Sequence, residues 1–362
     1  MRVLLPHDER EDVTLRPAAT AKVWLGVGQN HETVAVPGVA LGRHDVLVVI
    51  ELSTVCGSDV HTVSGHRTAP APLVLGHESV GRIIAVGEGG VEDAEGQTLR
   101  VGDRVVWSVT VSCGTCDRCT AGVGQKCRAL AKYGHERIEP RWELTGGFAT
   151  HAHLRAGTTI VRVPEALPAA TLAPASCATA TAWAALERAS RTHALETARV
   201  LVLGAGLVGL SAVAIAADAG AAVTVVDPSP QRRAFAEKFG ATALATPGEN
   251  ADIVIEASGH AVADALAAAD VAGHVILVGS VFPAAPVGLE AESVVRRLLT
   301  ISGVHNYTGR DLAGAAAFLA GRGRGYPFDE VVGAQYGLDD VDAALAAASA
   351  PGAPLRIAVN PR

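Results

Sequence analysis

Residues 200–209 constrain the fold of this chain more than any other stretch. The apolar run Val200-Leu201-Val202-Leu203 passes directly into Gly204-Ala205-Gly206-Leu207-Val208-Gly209, and an Ala-rich segment follows over 207–219. The first run reads as a buried strand and the segment as a helix, so the glycines stand at a strand-to-helix turn. There Gly204 permits the tight turn, Gly206 lets backbone approach a pyrophosphate, and Gly209 lets helix pack on strand, with Leu207 and Val208 opening the helix. A second strand, 222–226, ends at Asp227, about twenty residues on, where a carboxylate accepts both ribose hydroxyls of an adenosine and repels a 2′-phosphate. This favours NAD over NADP. The rival readings are an S-adenosylmethionine site and a merely structural glycine turn. Arg232 is either a neighbour of the adenosine ribose or a solvated cation on a helix surface.

The strand–helix alternation continues with strands at 253–255 and 274–278, and from about 172 to 304 it specifies an α/β layout, a parallel sheet covered by helices. Ahead of it, from 21 to about 168, short β-rich runs such as 45–50 and 101–107 alternate with Gly and Pro breaks, the signature of a compact, mostly β domain. Behind it, the tail from Thr308 reads as an Ala-rich helix followed by strands at 328–332 and 355–359 that return to the first domain. The first eighteen or so residues are polar and read as an added arm. A length of 362 residues exceeds what one core usually serves, which favours two domains.

All six cysteines can be placed in metal sites. Cys113, Cys116, Cys119 and Cys127 form a C-x2-C-x2-C-x7-C run that can close four thiolates around one tetrahedral zinc. Disulfides in a secreted chain are one rival. An iron–sulfur cluster is another, but the bacterial ferredoxin pattern wants a shorter third gap followed by Cys-Pro, and Cys127 precedes Arg128. A four-thiolate zinc has no open position, so its expected work is to fold the lobe at 112–128. Only Arg118, Lys126 and Arg128 are cations there, too few for a zinc ribbon that binds nucleic acid. Cys56 and Cys177, with His77 in Gly76-His77-Glu78, make a Cys2His set with a vacant fourth position, the arrangement of a catalytic zinc. Taken singly, each of these two cysteines reads as a buried inert thiol.

The formal charge of −7 is spread without a basic block, which argues against a nucleic-acid partner. No apolar run is long enough to span a bilayer, so no membrane role is expected. Asp8, Glu9, Arg10, Glu11 and Asp12 stand where a signal peptide needs an apolar stretch, and a reducing cytoplasm suits metal thiolates.

Cys56-Gly57-Ser58-Asp59-Val60-His61, Gly76-His77-Glu78, the four-cysteine lobe, Ala173-Pro174-Ala175-Ser176-Cys177 and the glycine fingerprint occur in one order along nearly the whole chain. In this combination the chain resembles the zinc-dependent medium-chain alcohol dehydrogenases. Residues 107–111, 132–136 and 145–149 look closest to the branch labelled phosphonate-catabolism-associated alcohol dehydrogenases. The resemblance implies a GroES-like catalytic domain at 1–175, a Rossmann coenzyme domain at 176–306 and a return to the catalytic domain at 307–362, with the active site between them. It further implies two zincs and NAD as cofactors, a small-molecule alcohol or carbonyl substrate, and a homodimer or homotetramer.

For single residues, the resemblance implies that Ser58 bonds the substrate oxygen and His61 carries its proton onward, although alone each reads as a loop hydroxyl and an exposed histidine. It places Asp59 behind the His77 imidazole, Thr181 behind the nicotinamide ring, Val278 at the carboxamide and Arg356 at the pyrophosphate, an ion pair being the other reading of Arg356. Glu78 adjoins a ligand, and transient approach to the metal and a buried salt bridge both stay open. Pocket walls are expected from Leu73, Trp107, Val109 and His305. Arg67, Arg128, Lys132 and His135 are candidate partners for an anionic group or else solvated side chains; polyols and cyclitols stay open as substrates. Cys177 in place of a carboxylate disfavours the sorbitol-dehydrogenase metal set. A carbonyl or enone reductase of the same superfamily and a non-catalytic NAD-sensing zinc protein are the alternatives.

Overall fold

The structure, a computed structural model, describes residues 11–361. The chain divides into two compact units, one built from the chain up to Ser176 and from Ala334 onward, the other from Cys177–Gly333.

In the first unit the described strands up to Ser176 are β1 (Glu11–Trp24), β2 (Glu32–Leu41), β3 (Val46–Thr54), β4 (Leu73–Val74), β5 (Glu78–Val86), β6 (Arg104–Val111), β7 (Ala131–Lys132), β8 (His151–Leu154) and β9 (Thr158–Arg162). One sheet runs β2-β1-β4. The larger one runs from the strand Val332–Gly337 through Arg356–Asn360 to β3, β5, β6 and β7, with β8 also on β3 and β9 also on β6. Alternation explains why β3 lies at the centre: Val46, Val48 and Ile50 enter a core with Trp107, Tyr133 and Trp142, while Leu47 enters a second core with Val36, Leu41 and Val74. All eight residues of β6 are buried. Residues 1–10 of the expected polar arm lie outside the described residues, but 11–18 are no loose arm. They form the start of β1, paired from Glu11↔Leu41 to Thr14↔Gly38, and only Leu15 of that stretch is buried.

The second unit carries β10 (Arg199–Leu203), β11 (Ala222–Val226), β12 (Thr242–Leu244), β13 (Ala251–Glu256), β14 (Ala269–Leu277) and β15 (Thr300–Gly303). They form one parallel sheet in the order β12-β11-β10-β13-β14-β15, the 3-2-1-4-5-6 order of a dinucleotide-binding Rossmann fold. The helix Leu207–Asp218 is apolar on every face because nine of its residues are buried. Thr179 and Ser211 hydroxyls, 3.3 Å apart, join it to the helix Ala178–Ala189. No helix among the described residues is long and apolar enough to cross a membrane.

The tail departs from the sequence reading. Residues 328–332 are not a strand: Phe328–Glu330 is a single tight turn, and the strand begins at Val332. Phe328 drives its ring edge-on against Phe239 at 5.1 Å, and Trp183 meets Phe318 of the helix Gly309–Ala320 at 6.4 Å. These apolar contacts hold 307–333 in the second unit, so the return starts at Ala334 rather than 307.

Candidate metal and coenzyme sites

Strand register assembles the first candidate metal site. Thr54, at the end of β3, pairs with Glu78, at the start of β5, so the residues that follow β3 and those that precede β5 meet at one sheet end. Cys56 caps the helix Gly57–Val63 there. His77 is delivered by Gly76, whose φ of +86° suits glycine and whose missing Cβ would lie 2.8 Å from the Phe148 ring. The Ser176 hydroxyl donates to the His77 carbonyl at 3.1 Å, and the next residue is Cys177. Donor atoms of Cys56, His77, Glu78 and Cys177 lie within 4.8 Å of one another. Two thiols and an imidazole at that spacing suit zinc.

Asp59 ties the two ligand segments together. Its buried carboxylate accepts the Cys56 N–H at 2.9 Å on one oxygen and the Gly76 N–H at 3.3 Å on the other. The second oxygen also stands 3.4 Å from His77 Nδ1, an ion-pair approach without a formed hydrogen bond. Burial works against a charged imidazole, but the Asp59 carboxylate and then Cys56 outweigh it and hold the His77 pKa well above its ordinary value.

Glu78 takes the buried ion-pair reading. Arg356 donates from Nε and Nη2 to its two oxygens at 2.7 Å each, and Thr54 adds its hydroxyl at 2.6 Å. Burial raises the Glu78 pKa and Arg356 opposes the rise. Arg356, expected at a pyrophosphate, is thus the partner of Glu78.

Ser58 Oγ lies 3.4 Å from His77 Nε2, and His61 follows three residues later on the same helical face. His135 stacks at a tilt on His77 with centroids 4.9 Å apart. Burial, then the charges of His77, Arg67 and Lys132, hold the His135 pKa well below the histidine value. Arg128 is excluded from this group, because it grips Asp117 at 2.6 and 2.7 Å in the cysteine lobe. Of the expected pocket walls, Leu73 and Trp107 are core side chains, Val109 is buried, and His305 is exposed in the second unit.

The second candidate metal site is the lobe. None of the six cysteines is in a disulfide, and the sulfurs of Cys113, Cys116, Cys119 and Cys127 approach to 3.4–4.0 Å. This is too long for a bond and close to the roughly 3.8 Å edge of a tetrahedron with zinc–sulfur bonds of about 2.3 Å. N–H groups of Thr115 and Cys116 draw the Cys113 thiol down to about 6, whereas desolvation and neighbouring thiols push Cys119 up to about 12. With all four deprotonated, sulfurs this close would need a cation between them.

In the second unit the glycine turn has the expected mechanics. Gly204 sits at φ +104°, and a Cβ on Gly209 would lie 1.9 Å from the Gly204 carbonyl oxygen. A Cβ on Gly206, the cap of the helix Leu207–Asp218, would meet nothing within 4 Å. That open space above helix N–H groups fits a pyrophosphate. Asp227 accepts the N–H of Ala205 and of Ser229, each at 2.8 Å, which fixes its carboxylate beside the turn. Arg232 reaches the Ala205 carbonyl at 3.4 Å, Thr181 lies on the helix Ala178–Ala189, and Val278 follows β14 with its N–H on the Glu256 carbonyl at 2.9 Å. Glu256 was missed from sequence. Its buried carboxylate gathers the N–H groups of Ser258 and Gly259 at 3.0 and 2.8 Å and packs that loop beside Gly204. The signal was an acidic residue ending an otherwise apolar strand.

Residues 42–165 match the alcohol dehydrogenase GroES-like domain, and residues 208–321 match the zinc-binding dehydrogenase family. The chain is 36% identical over 247 residues to the 5-exo-hydroxycamphor dehydrogenase of Pseudomonas putida, covering 66% of this chain and 67% of that one. It belongs to the zinc-dependent medium-chain alcohol dehydrogenase family. This family member is also 34% identical over 236 residues to an L-threonine 3-dehydrogenase of Anaeromyxobacter, over 63% of this chain and 61% of that enzyme's length. Among solved structures, an alcohol dehydrogenase from Thermotoga maritima superposes with TM-score 0.86 at 27% identity, covering 95% of this dehydrogenase and 99% of that chain. A dehydrogenase from Sinorhizobium meliloti, crystallised bound to NADP, gives 0.81 at 25% identity over 95% and 99%. The α/β class, with a GroES-like and a Rossmann part, stands as expected.

Proposed function

We propose that this oxidoreductase is an NAD-dependent zinc alcohol dehydrogenase moving a hydride between a primary or secondary alcohol and NAD, with polyols, cyclitols and hydroxyalkyl phosphonates within its range. The carrying observation is the gathering of Cys56, His77 and Cys177 donor atoms beside a Glu78 already held by Arg356. In this reading those three residues hold the catalytic zinc, and Cys113, Cys116, Cys119 and Cys127 hold the structural one. Bound zinc supplies Lewis-acid polarisation of the substrate oxygen, and bound NAD supplies the hydride acceptor. The chain does the rest. Ser58 takes the proton of the substrate hydroxyl through its Oγ, and His61 passes it toward solvent. Asp59 keeps His77 and Cys56 in place. Gly204, Gly206, Leu207, Val208 and Gly209 would hold the pyrophosphate, Asp227 and Arg232 the adenosine ribose, and Thr181 and Val278 the nicotinamide end.

Asp227 supports NAD over NADP, since both its oxygens already accept backbone N–H groups and a 2′-phosphate would face a fixed negative charge. A homodimer is supported by β15, which is an edge strand of the parallel sheet with exposed Val295 and Leu298 beside it. The thiolate sets favour a cytoplasmic setting.

The test follows nicotinamide fluorescence over time on the zinc-loaded protein, with NAD and NADP in parallel against short-chain alcohols, polyols and hydroxyalkyl phosphonates. Net reduction of NAD that disappears in Cys56→Ala while lobe zinc persists is the expected result. Coenzyme binding without turnover on any alcohol or carbonyl would leave a sensor in place of an enzyme.

A further inference from the structure

In the parallel sheet of the second unit, Glu256 is the last residue of β13 and stands between two strand ends that carry candidate coenzyme contacts. It pairs with Leu203 of β10, which precedes the Gly204 turn, and with Leu277 of β14, which precedes Val278. Its carbonyl accepts the N–H groups of Val278 and Gly279 at 2.9 and 2.8 Å, and the next residue, Ala257, donates its N–H to the Leu203 carbonyl at 2.9 Å. The loop that begins there is wedged. A Cβ on Gly204 would lie 3.1 Å from the Ser258 nitrogen, and a Cβ on Gly279 would lie 2.7 Å from the same atom. Gly259, at φ +80°, has no room for a Cβ either, since one would lie 2.6 Å from the Gly279 carbonyl oxygen.

The Glu256 carboxylate is wholly buried, and its two oxygens fare unequally. Oε1 accepts the N–H groups of Ser258, Gly259 and Ala261 at 3.0, 2.8 and 3.4 Å together with the Ser258 hydroxyl, which in turn accepts the His260 N–H at 3.1 Å. Oε2 is buried with no hydrogen-bond partner among the described residues. A buried carboxylate compensated on one oxygen only is a poor source of stability, and an apolar side chain of similar size would serve a strand end better. What the charge does supply is convergence. Donors spread over residues 258–261 are drawn to one atom, which no apolar side chain can do.

We propose that Glu256 is a positioning residue for the coenzyme. By curling residues 258–261 onto one carboxylate oxygen it fixes the loop packed between the Gly204 turn and Gly279, and with it the offset between the residues that receive the pyrophosphate and Val278 at the nicotinamide end. This deepens, and rests on, the coenzyme reading of those residues, and it gives Glu256 no contact with the reacting atoms.

Calorimetric titration of the zinc-loaded protein with NADH and with ADP-ribose tests it. ADP-ribose carries the adenosine and the pyrophosphate and lacks the nicotinamide. In Glu256→Gln, which keeps the shape and removes the charge, ADP-ribose affinity should stay within about 2-fold while NADH weakens by about 10-fold, the size of one hydrogen bond to a charged group. Ser258→Ala, which removes one donor, should move the ratio of the two affinities in the same direction by less. A merely structural role lowers the Tm and leaves that ratio alone. An unchanged ratio in Glu256→Gln overturns the assignment; should that protein not fold, an unchanged ratio in Ser258→Ala does so. Parent protein that binds neither ligand removes the coenzyme reading and the assignment with it, whereas parent binding with an unchanged ratio in the variants removes the role of Glu256 alone.

Discussion

Arg356 holds both carboxylate oxygens of Glu78 at 2.7 Å, across 278 residues of sequence and next to His77. Removing one partner strands the other, so Arg356→Met should destabilise the fold by about 3–5 kcal/mol, and the double variant Arg356→Met/Glu78→Met by much less. Urea unfolding of the three proteins checks it; equal losses in single and double variants would contradict it.

The glycine turn gives a paired prediction. Gly206→Ala places its methyl in open space, so thermal stability should hold while the KM for NAD rises on the order of 10-fold or more, as when a hydrogen bond to a charged group is lost. Gly209→Ala should do the reverse, with a destabilisation of about 1–3 kcal/mol from overpacking on the Gly204 carbonyl. Calorimetry and coenzyme titration together read both. A Gly206→Ala protein that melts early without a change in KM would move this residue from the site to the scaffold.

Legibility followed from how local each cause was. The turn at 204–209 was readable because each glycine has a mechanical role fixed by its neighbours, and β11 was placed to the residue as Ala222–Val226. The Cys56, His77 and Cys177 set was readable from donor chemistry. The pairing of Arg356 with Glu78 was not, since it depends on the strand Arg356–Asn360 lying antiparallel beside β3. Residues 328–332 looked like a strand because Phe and Val stand together, but the Phe239 ring, supplied from elsewhere, decides their shape. The start of β1 was hidden by its exposure: a strand with one wet face and few buried residues has little apolar signal.

Loss of one lobe thiolate should separate stability from chemistry. On the two-zinc reading, Cys119→Ser is expected to lower metal content from two ions per chain toward one and the Tm by several degrees, with kcat on the surviving folded protein near the parent value. Atomic emission, calorimetry and active-site-normalised turnover measure the three. A kcat that collapses while the Tm holds would assign the lobe a catalytic part.

Acid should weaken the second unit through His274, whose ring nitrogens face Thr192 Oγ1 at 2.9 Å and Ser302 Oγ at 2.7 Å. Burial, then the charges of His193 and Arg188, lower its pKa below the ordinary 6.5. The unfolded chain therefore takes up a proton first. Stability is full above pH 6.5 and falls as the pH drops toward the folded value. His274→Gln should flatten the difference between urea midpoints at pH 7.5 and 5.5. An unchanged slope would point to other histidines, such as His31, which is shifted in the same direction by burial.

Asp59 has a wider consequence than its grip on two backbone N–H groups suggests. By stapling the roots of the loop that leaves at Cys56 and comes back at Gly76, it uncouples the metal donors from whatever the loop does in between. Change of side chains between the helix Gly57–Val63 and β4 is therefore expected to leave the positions of Cys56 and His77 standing. On the dehydrogenase reading, one chemistry is then compatible with different alcohols through changes confined to residues 64–72, clear of Ser58 and His61.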